Sequence, residues 1–107
     1  MLATSELSAA ERILIYRRRL GLNQTEAALH WAVTPWEYRL WENGERNTQP
    51  TVRLGILQDN EACLIMRRRA GLSRTACAKA VGISNWWLTQ MEHGKIPTER
   101  LVKFWSE

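Results

Sequence analysis

Side chains able to do chemistry are few in this chain and widely spaced. His30 and His93 stand without a nucleophile, base or acid at usable spacing. Cys63 and Cys77 combine with them in no zinc-ligand pattern, and no glycine-rich phosphate loop occurs. No enzyme, metal ion or cofactor is therefore expected. What remains is hydrogen bonding and charge. Asn85 and Gln90 carry amides of the kind that pair with adenine at two points, and Thr89 adds a hydroxyl. Gln24, Arg39, Arg74 and Lys95 supply donors suited to phosphate oxygens or base edges. Trp36 and Trp86 add large apolar surface at matching places.

The elements that must position these residues occur twice. Gly21–Arg46 returns fifty residues later as Gly71–Ile96 without a gap. Arg17-Arg18-Arg19, Gly21, Leu22, Thr25, Ala28, Trp36, Glu42, Gly44 and Val52 all recur at that offset. About a third of the aligned positions match, so one structural unit is present in two copies. We expect units at 1–58 and 59–107, each of about four short helices. Units of this size are marginal alone, which predicts that they pack together.

Local signals place the helices. Ser8 with Glu11 forms a capping box, and Ile13, Tyr16 and Leu20 follow at helical spacing up to Gly21. Met1–Leu7 is expected to be a mobile lead-in, and Arg18 and Arg19 a solvated helix end. Asn23 with Glu26 opens a second helix running to about Trp31. Thr34 and Pro35 open a third, which Gly44 closes after Asn43. Tyr38 and Trp41 should face inward, and Trp36, Glu37, Arg39 and Leu40 outward. A fourth helix is expected over Pro50–Gln58, weakened by Gly55, and a turn with a cap at Asp59-Asn60. The second copy predicts helices over 61–70, 74–81, 85–93 and 98–105, with Ser73 and Ser84 as caps. No stretch alternates with period two, so the fold class is all-α. Trp31, Trp41 and Trp105 are assigned to the core, while Trp87 should lean against the preceding helix.

The chain has 107 residues and a net charge of +4, with a pI near 9.6. Divided at Arg53, the first half holds seven basic and six acidic residues and the second eight and five. That surplus is compatible with a polyanionic partner. No apolar run approaches the twenty or so residues of a membrane span, and the N-terminus has no secretory pattern, so a cytoplasmic, nucleoid-associated protein is expected. The two cysteines replace Ile13 and Ala27 of the other copy and are expected to be core thiols.

Leu20-Gly21-Leu22-Asn23-Gln24 with Glu42-Asn43-Gly44, and Gly71-Leu72-Ser73, Gly82-Ile83-Ser84 and Glu92-His93-Gly94 in the second copy, resemble the lambda-repressor/Cro-type helix-turn-helix. The resemblance covers nearly the whole chain. It implies a third helix of each copy that reads the major groove of double-stranded DNA. It implies phosphate grip from Gln24, Arg74 and Lys95, and base reading from Asn85, Trp86, Thr89 and Gln90. It also implies structural ion pairs, Arg17 with Glu42 and Arg67 with Glu92. The first copy departs from this pattern. Pro35, Trp36 and Leu40 stand at its reading positions with Arg39 the one good donor, and Glu37 and Glu45 would face phosphates. Ala32 stands where the second copy keeps Gly82, a left-handed position that costs alanine about 1–2 kcal/mol. Two functions are thus expected. One is a sequence-specific DNA-binding transcriptional regulator of phage or mobile-element type. The other is a helix-turn-helix scaffold acting as an antiactivator or adaptor, with a protein partner or a second copy of itself at Trp36 and Leu40.

Overall fold

The capping residues explain where the helices begin. The computed structural model describes residues 2–107, and among them every regular element is helical. The chain divides into two compact units, Leu2–Ile56 and Leu57–Glu107.

The first unit opens with one 3-10 turn, Thr4–Glu6, followed by α1 (Ala9–Arg19), α2 (Gln24–His30) and α3 (Pro35–Asn43). Ser8 and Glu11 exchange bonds across the start of α1 (Ser8 N to Glu11 Oε1 2.9 Å, Glu11 N to Ser8 Oγ 3.1 Å). Asn23 and Glu26 do the same at α2, at 2.9 and 2.8 Å. Thr34 Oγ1 accepts the Glu37 amide at 3.1 Å, with Pro35 in the first turn. α3 packs on both α1 and α2. Ile13, Ala27, Ala28, Tyr38 and Trp41 form the core, with Leu22, Trp31 and Val33 against its edge. Tyr38 and Trp41 supply the bulk that Ala27 and Ala28 lack, as expected where total volume must be kept. Trp41 is satisfied by donating Nε1 to Thr48 Oγ1 at 3.0 Å.

Two expectations fail at the ends of this unit. Met1 lies outside the described residues, but 2–7 is not a loose lead-in. Leu7 is buried, and Arg12 Nη2 donates to the Thr4 carbonyl at 2.9 Å. Nor is there a helix over 50–58. Val52 and Leu54 are buried while Thr51, Arg53 and Gly55 are exposed, which is the alternation of extended chain. Against the second copy, Pro50 replaces Arg100, Thr51 replaces Leu101 and Gly55 replaces Trp105, so no apolar stripe is left for a helix to bury. The carbonyls that a helix would use internally are taken by side chains. Thr4 Oγ1 donates to the Gly55 carbonyl at 2.6 Å, and Arg19 donates to those of Leu54 and Ile56. Arg19, exposed at the end of α1 as expected, is therefore also a strut.

The second unit comprises α4 (Asp59–Ala70), α5 (Arg74–Val81), α6 (Asn85–Glu92) and α7 (Glu99–Ser106). Asp59 and Asn60 form the first turn of α4 instead of a boundary turn, because Gln58 is its N-cap and donates its amide to Glu61 Oε1 at 2.9 Å. Ser73 and Ser84 cap α5 and α6. Cys63, Cys77, Ala78, Leu88, Met91 and Leu101 make the core, with Val102 and Trp105 packed on it. Both thiols are free and buried. Burial first, then the carboxylates of Asp59 and Glu92, pushes the Cys63 thiol up to about 12, and burial raises Cys77 as well.

A thiol held protonated in the fold but ionising normally when unfolded contributes stability below its ordinary pKa, and that contribution disappears as pH rises through the folded value. Stability of the second unit should therefore fall as pH rises from about 9 toward 12. Neither thiol should react with a maleimide at pH 8 until denaturant unfolds the protein.

Ala32 adopts φ +57°, the left-handed conformation that Gly82 holds at +84° in the second unit. We expect Ala32→Gly to stabilise the first unit by about 1 kcal/mol, the strain removed less the added freedom of the unfolded chain. A urea midpoint shift measures it.

Candidate nucleic-acid interface

Both units are pinned by the same buried ion pair. In the first, Arg17 on α1 grips Glu42 on α3 at two points, Nε to Oε2 at 2.6 Å and Nη2 to Oε1 at 3.2 Å. Its third nitrogen donates to the Leu22 carbonyl at 3.0 Å, which fixes the turn before α2. Arg67 and Glu92 repeat the geometry at 2.6 and 3.2 Å, with Leu72 at 3.2 Å. Glu42 and Glu92 are both buried, so the guanidinium is the group that balances each charge. In the first unit Tyr38 lies beside this pair. Burial, and after it the Glu42 carboxylate, raises the pKa of its hydroxyl above the ordinary value.

Gln24 is tied to the ion pair. It is half-buried and gives its Nε2 to Glu42 Oε1 at 3.1 Å. Arg74 replaces it in the second unit and stands exposed at the first position of α5. The two helix starts differ again two residues on. Glu26 places a carboxylate over the α2 amides, whereas the matching residue Ala76 leaves the α5 start without one. An anion is favoured at a helix start only where no carboxylate already occupies it.

The front of α3 carries an internal clamp. Trp36 is 57 % exposed, but the Arg46 guanidinium lies over its ring, 5.4 Å from the centroid. Glu37 holds Arg46 in place at 3.3 Å. Glu37 and Leu40, both expected to point outward, are half-buried, while Arg39 is exposed. The front of α6 is open. Trp86 is 60 % exposed and meets the edge of Trp87 at 5.3 Å and 83°. Trp87 is itself exposed instead of covered by the preceding helix. Asn85 is exposed and donates Nδ2 to Thr75 Oγ1 at 3.0 Å, while the Thr89 hydroxyl donates to the Asn85 carbonyl at 2.8 Å. Gln90 is half-buried and Lys95 exposed.

The structure thus brings Asn85, Trp86 and Thr89 together on the first turns of α6. The Arg46–Glu37 clamp was missed. It crosses the helix end at Gly44, so no helical spacing connects its members. The one signal is that Glu37 and Arg46 change together between copies, to Trp87 and Ile96. The histidines are exposed, as expected, but His30 is not isolated. Its ring meets Trp31 at 4.8 Å and Tyr16 at 6.1 Å.

Among the described residues no three His, Cys, Asp or Glu side chains gather as a metal site, and no helix is long and apolar enough to cross a membrane. Compared with family models, curated proteins and solved structures, the chain matches none.

Arg67→Ala would leave Glu92 buried without its partner and should destabilise the second unit by roughly 3–5 kcal/mol. Replacing both residues by leucine should recover most of that loss, because no uncompensated charge remains. Urea denaturation of the three proteins compares them.

Proposed function

We propose that this chain is a sequence-specific, duplex-DNA-binding transcriptional regulator with the unit 57–107 as its reading head. One observation carries the reading. From Gly71 to Thr98 the only carboxylate is Glu92, and it is buried against Arg67, while Arg74, Lys79 and Lys95 are exposed. The helix α6 therefore presents its amides and indoles from a stretch of chain with no exposed carboxylate, which suits a polyanion. The equivalent stretch Gly21–Thr48 holds Glu26, Glu37, Glu42 and Glu45. The resemblance to lambda-repressor/Cro-type helix-turn-helix proteins points the same way, with α6 lying in the major groove and the protein acting on the nucleoid.

A second reading applies to the first unit. On its third helix one face of Trp36 carries the Arg46 guanidinium, and beside it α2 and α3 leave an apolar cleft of about 300 Å³. Leu29, at 82 % exposure, stands on the cleft's rim with Val33 and Pro35. This favours a protein partner, or a second copy, for the first unit.

Selection from a random duplex pool at about 50 and 200 mM salt tests the regulator reading. An enriched motif supports it, and weak, sequence-blind binding overturns it. Arg74→Ala is expected to weaken binding to every sequence and lower the salt slope by about one. Asn85→Ala and Gln90→Ala should instead relax the preference at single positions, each base contact being worth about 1–3 kcal/mol of discrimination.

A further inference from the structure

The polar side chains on the front of α6 are partly committed within the unit. Asn85 spends an amide hydrogen on Thr75, and Thr89 donates its hydroxyl to the Asn85 carbonyl. Trp86 and Trp87 are the large exposed groups on the same turn. Their rings meet edge to face at 83°, so they form a ridge and not a pair of parallel plates. A ridge of this kind cannot take two successive bases face-on, which is what a single-strand platform needs. It can press apolar edges against apolar points on the floor of a groove.

The surroundings say which groove. The exposed residues from Gly71 to Thr98 include three cations and no carboxylate. A polyanionic partner that also offers apolar points suits this surface. Duplex DNA has both features in the major groove, where the C5-methyl of thymine is the one apolar mark of sequence. The first unit supplies the contrast. Its Trp36, at the position matching Trp86, is about as exposed, but one ring face carries the Arg46 guanidinium, and Arg46 is held by Glu37. In the second unit the clamp residues are Trp87 and Ile96, so the guanidinium cover and its carboxylate anchor are both absent.

Resting on the DNA-binding reading above, we infer that Trp86, supported by Trp87, is a specificity-determining residue that selects thymine through its C5-methyl group. The second unit reads methyl positions by apolar contact, and Trp36 of the first unit does not.

The test uses the full chain and the duplex enriched in the selection experiment. Each thymine is replaced in turn by deoxyuridine, which keeps every hydrogen-bonding atom and removes only the methyl. Wild-type affinity should fall about four-fold at each thymine that Trp86 touches, the worth of one buried methyl-sized group. Trp86→Ala should bind thymine and deoxyuridine duplexes equally, as should Trp86→Gln, with far-UV circular dichroism confirming that both variants remain helical. Trp36→Ala should keep the full difference. Equal binding of both duplexes by the wild-type protein, or an unchanged difference in both Trp86 variants, overturns the inference while leaving the DNA-binding reading intact. Loss of the difference in Trp36→Ala overturns the division between the two indoles. Tighter binding to the single strand than to the duplex overturns the methyl reading in favour of stacking. Failure to enrich any duplex sequence overturns the DNA-binding reading and this inference with it.

Discussion

A buried carboxylate needs a partner that does not move, and in each unit that requirement organises the fold. Glu42 and Glu92 lie in the last turn of the third helix of their units, and Arg17 and Arg67 reach them from the first helix. The remaining guanidinium nitrogen holds the carbonyl at residue 22 or 72, where the chain turns into the next helix. One side chain thereby fixes three elements. The geometry is nearly the same in both units although the surrounding core is not, with Tyr38 and Trp41 in one where Leu88 and Met91 stand in the other. Core volume can be redistributed among neighbours, whereas two charges in a poorly polarisable interior tolerate little change in distance.

On this common frame the outer faces have diverged. The first unit folds its polar groups back onto itself. Gln24 joins the ion pair, Glu26 covers the start of α2, and Glu37 holds Arg46 on Trp36. The second unit replaces these with Arg74, Ala76, Trp87 and Ile96, and its corresponding surface stays open. Four substitutions at matching positions thus separate a face tied by its own polar contacts from one without them, on the same helical frame.

What could be read from the sequence was local. The caps Ser8, Asn23, Thr34, Ser73 and Ser84 each act on an amide three residues away, and the left-handed positions at Ala32 and Gly44 follow from the ends of their own helices. The ion pairs came from the family resemblance, since nothing in the spacing of Arg17 and Glu42 joins them. The misplaced helix at 50–58 came from extending the repeat through Val52 and Val102, past the point where the copies differ in kind. The interactions that hold that segment extended start at Thr4 and Arg19, too far away for any periodicity to register. Leu7 was missed for a related reason. A single apolar residue before a cap has no partner at helical spacing, and its burial depends on the three-dimensional arrangement.

The bond from the Thr4 hydroxyl to the Gly55 carbonyl spans 51 residues and joins the two ends of the first unit. The second unit completes its core with α7, a helix whose backbone bonds lie within its own stretch of chain. Contacts between distant residues require a loop to close before they contribute anything, and the entropy of that closure slows their formation. On a ribosome the first unit is therefore left unlatched until its final residues have emerged. It precedes the second unit along the chain, yet its closing contact must wait for the whole of its own stretch.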